Sequence, residues 1–275
     1  RTSVCNGSES SLVQLRSTEL RRVVEYDSAN QTIAVGAGMP LVELQKVLSE
    51  RRQWLPIRPL LGDQGTVGGL AASGSCGPER MRYGGPRDLV MGLKFVSGTG
   101  RLITAGGRVV KNVAGYDVPR LLVGSAGTLG LITELTLRVA TIPECGRAIS
   151  AMGSLTACEA VARELLQSKL EPTTVTATPV ELGSVADGAI WQLTIGFEGF
   201  EETVDFQRAS TQELFRRADL TERELEPYNI LDGPGSNSVE SLRRTSFLIR
   251  ADVPMNEVGR FLDRHGEFVD DCGRD

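Results

Sequence analysis

The chain has 275 residues, of which 40% are hydrophobic, and a formal net charge of −5. This length is enough for two domains with buried cores, the acidic balance argues against nucleic acid as a general partner, and no apolar run approaches a membrane span. The 5 cysteines are odd in number and lack metal-ligand spacing, so we expect reduced thiols, no zinc or iron–sulfur site and a cytoplasmic protein.

The first half of the chain predicts strands interrupted by two helices. Apolar and polar residues alternate in the strand segments, and SGTG turns one strand into the next as a hairpin. Pro40 predicts the start of an amphipathic helix, and VGGLAAS predicts a short second helix. The predicted strands are 12–15, 21–27, 32–38, 88–97, 101–107 and 131–139, and the predicted helices are 40–52 and 67–73.

Pro143 and Gly146 mark a predicted domain boundary, after which the glycine content falls. Helices and strands then alternate as in a two-layer α+β unit. Helices are predicted at 155–170, 201–217 and 256–264, and strands at 173–182, 189–198 and 245–253.

Glycine is concentrated in residues 62–130, which hold 17 of the 31 glycines. Glycine at this density is costly in backbone entropy, so it indicates either turns with positive φ or a ligand that touches bare backbone. The same stretch carries a net charge of +4 within an acidic chain, which favours an anionic ligand held by backbone N–H groups. The alternative is a loop-rich sheet with surface arginines.

The short helix at 67–73 would present its first N–H groups to such a ligand. Gly68 and Gly69 would let a pyrophosphate or a flat ring approach without a Cβ in the way. The segment is neither a Walker loop nor a GxGxxG turn opening a βαβ unit.

Four segments together resemble a known family: GTVGGLAASGSCGP, RYGGPRDLVMGLKFVSGTGRL, GGRVVKNVAGYD and LLVGSAGTLGLITELTLRV. They are similar to the FAD-binding domain of the vanillyl-alcohol oxidase and para-cresol methylhydroxylase (PCMH) superfamily, and within it to the FAD-binding subunits of bacterial glycolate oxidases. GGRVVKNVAGYD is the most discriminating segment. The resemblance implies an α+β PCMH-type FAD-binding domain in residues 1–143, with an antiparallel sheet, helices and a truncated N-terminal subdomain. An α+β cap domain, truncated at its C-terminal end, would follow in residues 144–275.

The resemblance also implies which residues contact FAD. Backbone N–H groups would hold the pyrophosphate and ribityl chain at Gly65, Thr66, Val67, Gly68 and Gly69. Three small residues would lie against the isoalloxazine, namely Ala72, Ser73 and Gly77. The path toward the adenine end or the ring edge would be lined by Gly127, Gly130, Leu131 and Ile132.

Oxidation of a 2-hydroxy acid requires a base for the hydroxyl proton and a cation for the carboxylate. Substrate-side candidates by motif are Arg82, Tyr83, Lys111 and Asn112. Lys111 and Arg82 are the candidates for catalysis, although Lys111 is equally explained as a structural partner of an aspartate. The single histidine, His265, is read as a surface residue, so the catalytic residues stay unassigned.

The implied function is that of an FAD-binding subunit of a 2-hydroxy-acid oxidase or dehydrogenase of the glycolate or D-lactate type. Its implied partners are a homologous flavin subunit and an iron–sulfur subunit, through which it could lie at the inner membrane. Two alternatives remain open: a non-catalytic scaffold that retains the flavin-binding fold, and a stand-alone flavin oxidase whose flavin could be covalently attached.

Overall fold

The computed structural model describes residues 15–59, 65–107, 116–180 and 189–223, together with residue 225. The chain divides into two compact units, residues 1–142 and 143–275. Among the predicted features, the strand at 245–253, the helix at 256–264, Lys111, Asn112 and His265 lie outside the described residues.

The first unit is built on a five-stranded antiparallel sheet with the order β1-β2-β6-β4-β5. Its strands are β1 (Val23–Asp27), β2 (Thr32–Gly36), β4 (Val90–Ser97), β5 (Leu102–Gly106) and β6 (Gly130–Arg138). A separate two-stranded sheet pairs β3 (Gln53–Trp54) with β7 (Ala140–Thr141). The hairpin predicted from SGTG is confirmed as β4–β5, and β1 and β2 also pair as antiparallel neighbours.

Five helices belong to the described part of the first unit. They are α1 (Leu41–Ser49), α2 (Val67–Ser73), α3 (Arg80–Tyr83), α4 (Pro86–Leu89) and α5 (Val118–Leu122). Leu41, Leu44 and Leu48 recur at helical spacing and are buried, so α1 presents one apolar face to the core. The prediction of a strand from Asp88 is wrong by two residues, because Pro86 opens α4 and the strand begins only at Val90.

The second unit is a four-stranded antiparallel sheet with the order β11-β8-β10-β9, against which two helices pack. The strands are β8 (Cys145–Gly153), β9 (Thr174–Pro179), β10 (Trp191–Gly199) and β11 (Thr221–Arg223), and the helices are α6 (Leu155–Gln167) and α7 (Glu201–Arg217). Buried Ile195 and Phe197 of β10 form its core with Val204 and Phe215 of α7. The α+β fold class is therefore confirmed.

No helix in the described parts of the chain is long and apolar enough to cross a membrane.

The packing of α1 predicts a contrast between two positions of the same helix. Leu44 is fully buried, whereas the Val42 side chain is 58% exposed. We expect Leu44→Ala to lower the free energy of unfolding by about 2–5 kcal/mol, because it leaves a cavity in the core. Val42→Ala should change it by less than about 0.5 kcal/mol. Urea unfolding followed by circular dichroism measures both, and equal effects would contradict the packing described here.

Candidate functional site

Helix α2 is fixed at both ends by local hydrogen bonds. At its start Thr66 is extended, and its Oγ1 accepts a hydrogen bond of 3.1 Å from the Gly69 N–H. Threonine in this position satisfies one of the N–H groups that a first helical turn leaves without a partner. The helix ends at Gly74, whose φ of 66° is left-handed, as is common at a helix C-terminus.

A glycine-rich turn at residues 124–127 is bound to the C-terminal end of α2. The Gly124 N–H donates to the Ala71 carbonyl at 2.9 Å, and the Ala126 N–H donates to the Ala72 carbonyl at 2.7 Å. These bonds satisfy carbonyls that the last helical turn leaves open. Ala126 and Gly127 have positive φ values of 51° and 77°. The turn therefore holds the start of β6 close to α2.

Helix α2, the 124–127 turn and the start of β6 border a cleft of about 280 Å³. This volume is slightly below the range of about 300–1,000 Å³ that is usual for small-molecule sites, so the cleft would accommodate one portion of a dinucleotide. None of the described residues that line it has a charged side chain. The cleft is lined by Ser17, Ala37, Thr66, Gly68, Gly69, Ala72, Ser73, Ala126, Gly127, Gly130, Leu131 and Ile132.

The structure brings together 9 of the 12 residues proposed to contact FAD. Gly65, Val67 and Gly77 do not line the cleft: Val67 is 1% exposed within the core. The sequence analysis missed Ser17, Ala37 and Ala126. The sequence GAG after β2 was an available signal for Ala37, whereas nothing local to Ser17 or Ala126 indicates that the fold carries them to the same cleft.

The expectation that residues 66–69 offer a run of unpaired amides is wrong for three of the four. The Val67 N–H donates to the Met39 carbonyl at 2.9 Å and the Gly68 N–H donates to the Ala37 carbonyl at 2.8 Å. The Gly69 N–H is bound by the Thr66 side chain. Of these four N–H groups, only that of Thr66 has no acceptor among the described residues. The physical reason is that the chain after β2 and the start of α2 satisfy each other's backbone groups.

Close packing accounts for one of the two adjacent glycines. A Cβ at Gly68 would lie 2.7 Å from the Ala37 Cβ and 2.8 Å from the Ala37 carbonyl oxygen. A Cβ at Gly69 would meet only the Thr66 Oγ1, at 3.4 Å. Gly68 is therefore required for the approach of α2 to residue 37, and Gly69 is the position where the absence of a side chain leaves space in the cleft.

Among the described residues of 62–130, none of the cations lines the cleft. Several of these cations pair with carboxylates elsewhere: Lys94 Nζ lies 2.9 Å from Glu134 Oε1, and Arg120 Nε lies 3.2 Å from Asp117 Oδ2. Because the cleft lining is uncharged, an anionic group would be held there by dipoles of the backbone and hydroxyls. The anionic ligand expected from the charge of this stretch therefore has no cationic side chain beside it among the described lining residues.

Arg82 and Tyr83, two of the substrate-side candidates, do not line the cleft. Tyr83 packs edge-on against buried Trp54, with ring centroids 5.5 Å apart, and the Arg82 guanidinium lies 5.9 Å from the Tyr83 ring centroid. Nearby, Arg58 Nη1 forms an ion pair of 2.7 Å with Glu79 Oε1, which is almost completely buried. A Cβ at Gly77 would lie 2.5 Å from Glu79 Oε2, so Gly77 serves this packing.

The cysteines of the described residues are free and poorly suited to redox chemistry. Cys76 is buried in the core of the first unit, which favours a packing role. Burial raises the pKa of the Cys145 and Cys158 thiols, so both stay protonated near neutral pH. Among the described residues no cluster of His, Cys, Asp and Glu could hold a metal ion.

The small, uncharged residues described in the cleft lining are chemically suited to contact part of a flavin dinucleotide. Its walls are bare backbone and small side chains, and a Cβ at Gly127 would meet no atom within 4 Å. The N–H groups of Thr66 and Gly127 have no acceptor among the described residues, so each could donate to a polar group of a ligand. The match between these residues and FAD remains a proposal.

Comparison with known proteins identifies the fold family. A family model described as an FAD binding domain matches residues 1–106. Residues 1–106 therefore carry an FAD binding domain. The cofactor prediction, FAD, is thereby confirmed at the level of the family.

Several curated proteins are similar to parts of the chain. The chain is 36% identical over 180 residues to glycolate oxidase subunit GlcE of Escherichia coli K12, which covers 65% of this chain and 49% of that protein. It is 27% identical over 281 residues to glycolate oxidase subunit GlcD of Bacillus subtilis, covering 95% of this chain and 60% of the relative. A D-lactate dehydrogenase of Archaeoglobus fulgidus is 34% identical over 203 residues, covering 68% of this chain and 44% of the relative. The chain thus spans about half the length of the curated relatives that it matches.

The solved structure of an alkyldihydroxyacetonephosphate synthase superposes with a TM-score of 0.73 at 21% identity. The match covers 91% of this chain and 55% of the synthase. At this identity the likeness concerns the fold alone, and it confirms the predicted PCMH-type α+β architecture.

The cap of α2 predicts a difference between two substitutions of Thr66. Thr66→Ala removes the oxygen that accepts from the Gly69 N–H, so we expect a loss of about 1 kcal/mol in the free energy of unfolding. Thr66→Ser keeps the hydroxyl and should stay within about 0.5 kcal/mol of the parent. Chemical denaturation of the three proteins tests this, and an equally stable alanine variant would show that the cap is not needed.

The ion pair between Arg58 and Glu79 predicts a strong coupling. Glu79→Ala leaves the largely buried Arg58 guanidinium without its carboxylate, so we expect a destabilisation of about 3 kcal/mol. Arg58→Ala combined with Glu79→Ala should cost clearly less than the sum of the two single changes. A double-mutant cycle on unfolding free energies measures the coupling, and simple additivity would contradict a buried pair.

Proposed function

We propose that this chain is the FAD-binding part of a flavin-dependent oxidoreductase that acts on a small 2-hydroxy acid of the glycolate or D-lactate type and passes electrons to a partner subunit. The observation that carries this proposal is the uncharged cleft of small residues beside α2, in a chain whose FAD binding domain is shown by the family match. The relatives named as glycolate oxidase subunits and D-lactate dehydrogenase support the substrate class.

In this proposal residues 1–143 hold the cofactor and residues 144–275 form a cap on the substrate side. The residues proposed to contact FAD within the cleft are Thr66, Gly68, Gly69, Ala72, Ser73, Gly127, Gly130, Leu131 and Ile132. Gly65 and Val67 hold this segment in place. The Gly65 carbonyl accepts a hydrogen bond from Leu41, and the Val67 N–H donates to the Met39 carbonyl. Bound FAD would supply the acceptor for a hydride from the substrate α-carbon.

The described residues that line the cleft would position the cofactor rather than perform proton transfer. Among the described residues, no cleft-lining side chain is an acid, a base or a cation, so these residues supply neither the base nor the carboxylate-binding cation. We propose that Lys111, which lies outside the described residues, supplies one of these groups, with Asn112 as a hydrogen-bonding residue on the substrate side, or that both groups come from a partner subunit. The proposed partners are a homologous flavin subunit and an iron–sulfur subunit; the relatives named as glycolate oxidase subunits support assembly with other subunits.

One observation favours a second candidate. Arg82 and Tyr83 pack in a cluster with Trp54 and do not line the cleft, so these two substrate-side candidates do not contact the portion of the cofactor that the cleft would hold. A subunit that keeps the flavin-binding fold and acts as a scaffold, with substrate oxidised in a partner, would show this arrangement.

A spectroscopic experiment separates the two candidates. Under anaerobic conditions the purified protein is mixed with FAD and then with glycolate or D-lactate, alone and assembled with its partner subunits. Bleaching of this chain's own flavin band, alone or in a complex whose homologous subunit is prepared without flavin, would support the oxidoreductase. A chain that stays colourless, or whose bound flavin substrate never reduces in either form, would contradict the oxidoreductase and favour the scaffold.

The position of Gly69 predicts a direct test of the cleft. Gly69→Leu places a side chain in the space that the cofactor would occupy, so we expect the Kd for FAD to rise by at least about tenfold. Gly98→Leu is the matched control, because a Cβ at Gly98 meets no atom within 4 Å and the residue does not line the cleft. Titration monitored by flavin fluorescence measures both, and unchanged binding by Gly69→Leu would place FAD elsewhere.

A further inference from the structure

The segment Ser17–Leu20, which precedes β1, is folded onto the chain that leaves β2. The Leu20 N–H donates to the Ser17 carbonyl at 2.9 Å, closing a turn, and the Gly38 N–H donates to the Leu20 carbonyl at 2.8 Å. The Gly36 N–H donates to the Arg22 carbonyl at 2.9 Å. The turn is therefore bound by backbone hydrogen bonds to residues 36–38.

Two glycines make this contact possible. A Cβ at Gly38 would lie 1.8 Å from the Ser17 carbonyl oxygen, and a Cβ at Gly36 would lie 2.3 Å from the Leu20 carbonyl oxygen. Since no side chain can approach a carbonyl oxygen so closely, any other residue at 38 must displace Ser17. Gly38 thus determines where Ser17 lies.

Ser17 lines the cleft that α2 and the start of β6 also border. Three lining residues carry hydroxyls. The Thr66 Oγ1 is occupied by the Gly69 N–H, and the Ser73 Oγ is bonded to the Leu70 carbonyl at 3.2 Å and to the Ser75 N–H at 3.2 Å. The Ser17 hydroxyl has no hydrogen-bond partner among the described residues. It is therefore the lining hydroxyl most available to a ligand.

We propose that Ser17 is a cofactor-contacting residue, positioned by Gly38, whose hydroxyl bonds to a polar group of the bound dinucleotide. This inference rests on the proposed function, since it takes the ligand of the cleft to be FAD. Its physical basis does not depend on the glycine-rich motifs of residues 62–130. A segment distant in sequence from α2 packs against residues 36–38 and supplies a hydroxyl donor to the cleft.

Affinity for FAD provides the first test. Ser17→Ala removes the hydroxyl and should raise the Kd for FAD about fivefold, as expected for one hydrogen bond. Ser28→Ala, in the turn between β1 and β2, is the matched control and should leave the Kd unchanged. An unaltered Kd for Ser17→Ala would mean that the hydroxyl does not bond to the cofactor.

The positioning role of Gly38 is tested separately. Gly38→Ala keeps the Ser17 hydroxyl but forces its carbonyl away, so the Kd should rise about tenfold or more. Gly98→Ala is the control, since its Cβ enters open space. A folded Gly38→Ala variant with parental affinity would overturn this part of the proposal.

Chemical protection keeps the proposal testable if Gly38→Ala fails to fold. In a Ser17→Cys variant, saturating FAD should slow alkylation of the introduced thiol about tenfold, as measured by peptide mass spectrometry. A Glu50→Cys variant is the control, because residue 50 is exposed at the end of α1. Its thiol should react at the same rate with and without FAD. Equal alkylation of the Ser17→Cys variant in both conditions, with FAD bound, would overturn the inference alone. A parent chain that binds no FAD would instead overturn the proposed function.

Discussion

The architecture of the cleft depends on close contact between three backbone segments at residues 36–39. On one side the turn Ser17–Leu20 approaches Gly36 and Gly38 within distances that exclude a Cβ, and on the other side α2 approaches Ala37 through Gly68. Backbone hydrogen bonds join all three segments. Because packed interiors tolerate no overlap, a side chain added at any of these glycines would separate walls of the cleft. The central constraint is therefore steric rather than electrostatic.

This arrangement explains why a glycine-rich segment can resemble a ligand site while most of its backbone N–H groups form hydrogen bonds within the protein. Residues 66–69 are hydrogen-bonded to the chain that follows β2. Three of their four N–H groups form these bonds or the cap of α2. The glycines mainly provide space for a ligand, at Gly69 and Gly127. The N–H groups of Thr66 and Gly127 add single hydrogen-bond donors. An uncharged lining of this kind would bind a flavin dinucleotide through shape and a few hydrogen bonds rather than through paired charges.

Patterns that are local in sequence predicted much of the fold. The period of Leu41, Leu44 and Leu48 predicted α1, and helix α7 spans the same residues in the sequence prediction and in the structure. The strand β8 was missed because its nine residues, Cys145–Gly153, follow directly on the predicted boundary and mix small and charged residues without strict alternation. The short helices α3, α4 and α5 are too brief for periodicity to show. Ser17 could not be assigned to the cleft, because its place depends on tertiary contact with Gly38.

The most direct test of the central claim is the crystal structure of the protein grown with FAD. The account predicts density for the cofactor in the cleft, in contact with Thr66, Gly69 and Gly127, without rearrangement of the hydrogen bonds that join Val67 and Gly68 to residues 37–39. Density for FAD at another surface, with this cleft empty, would contradict it.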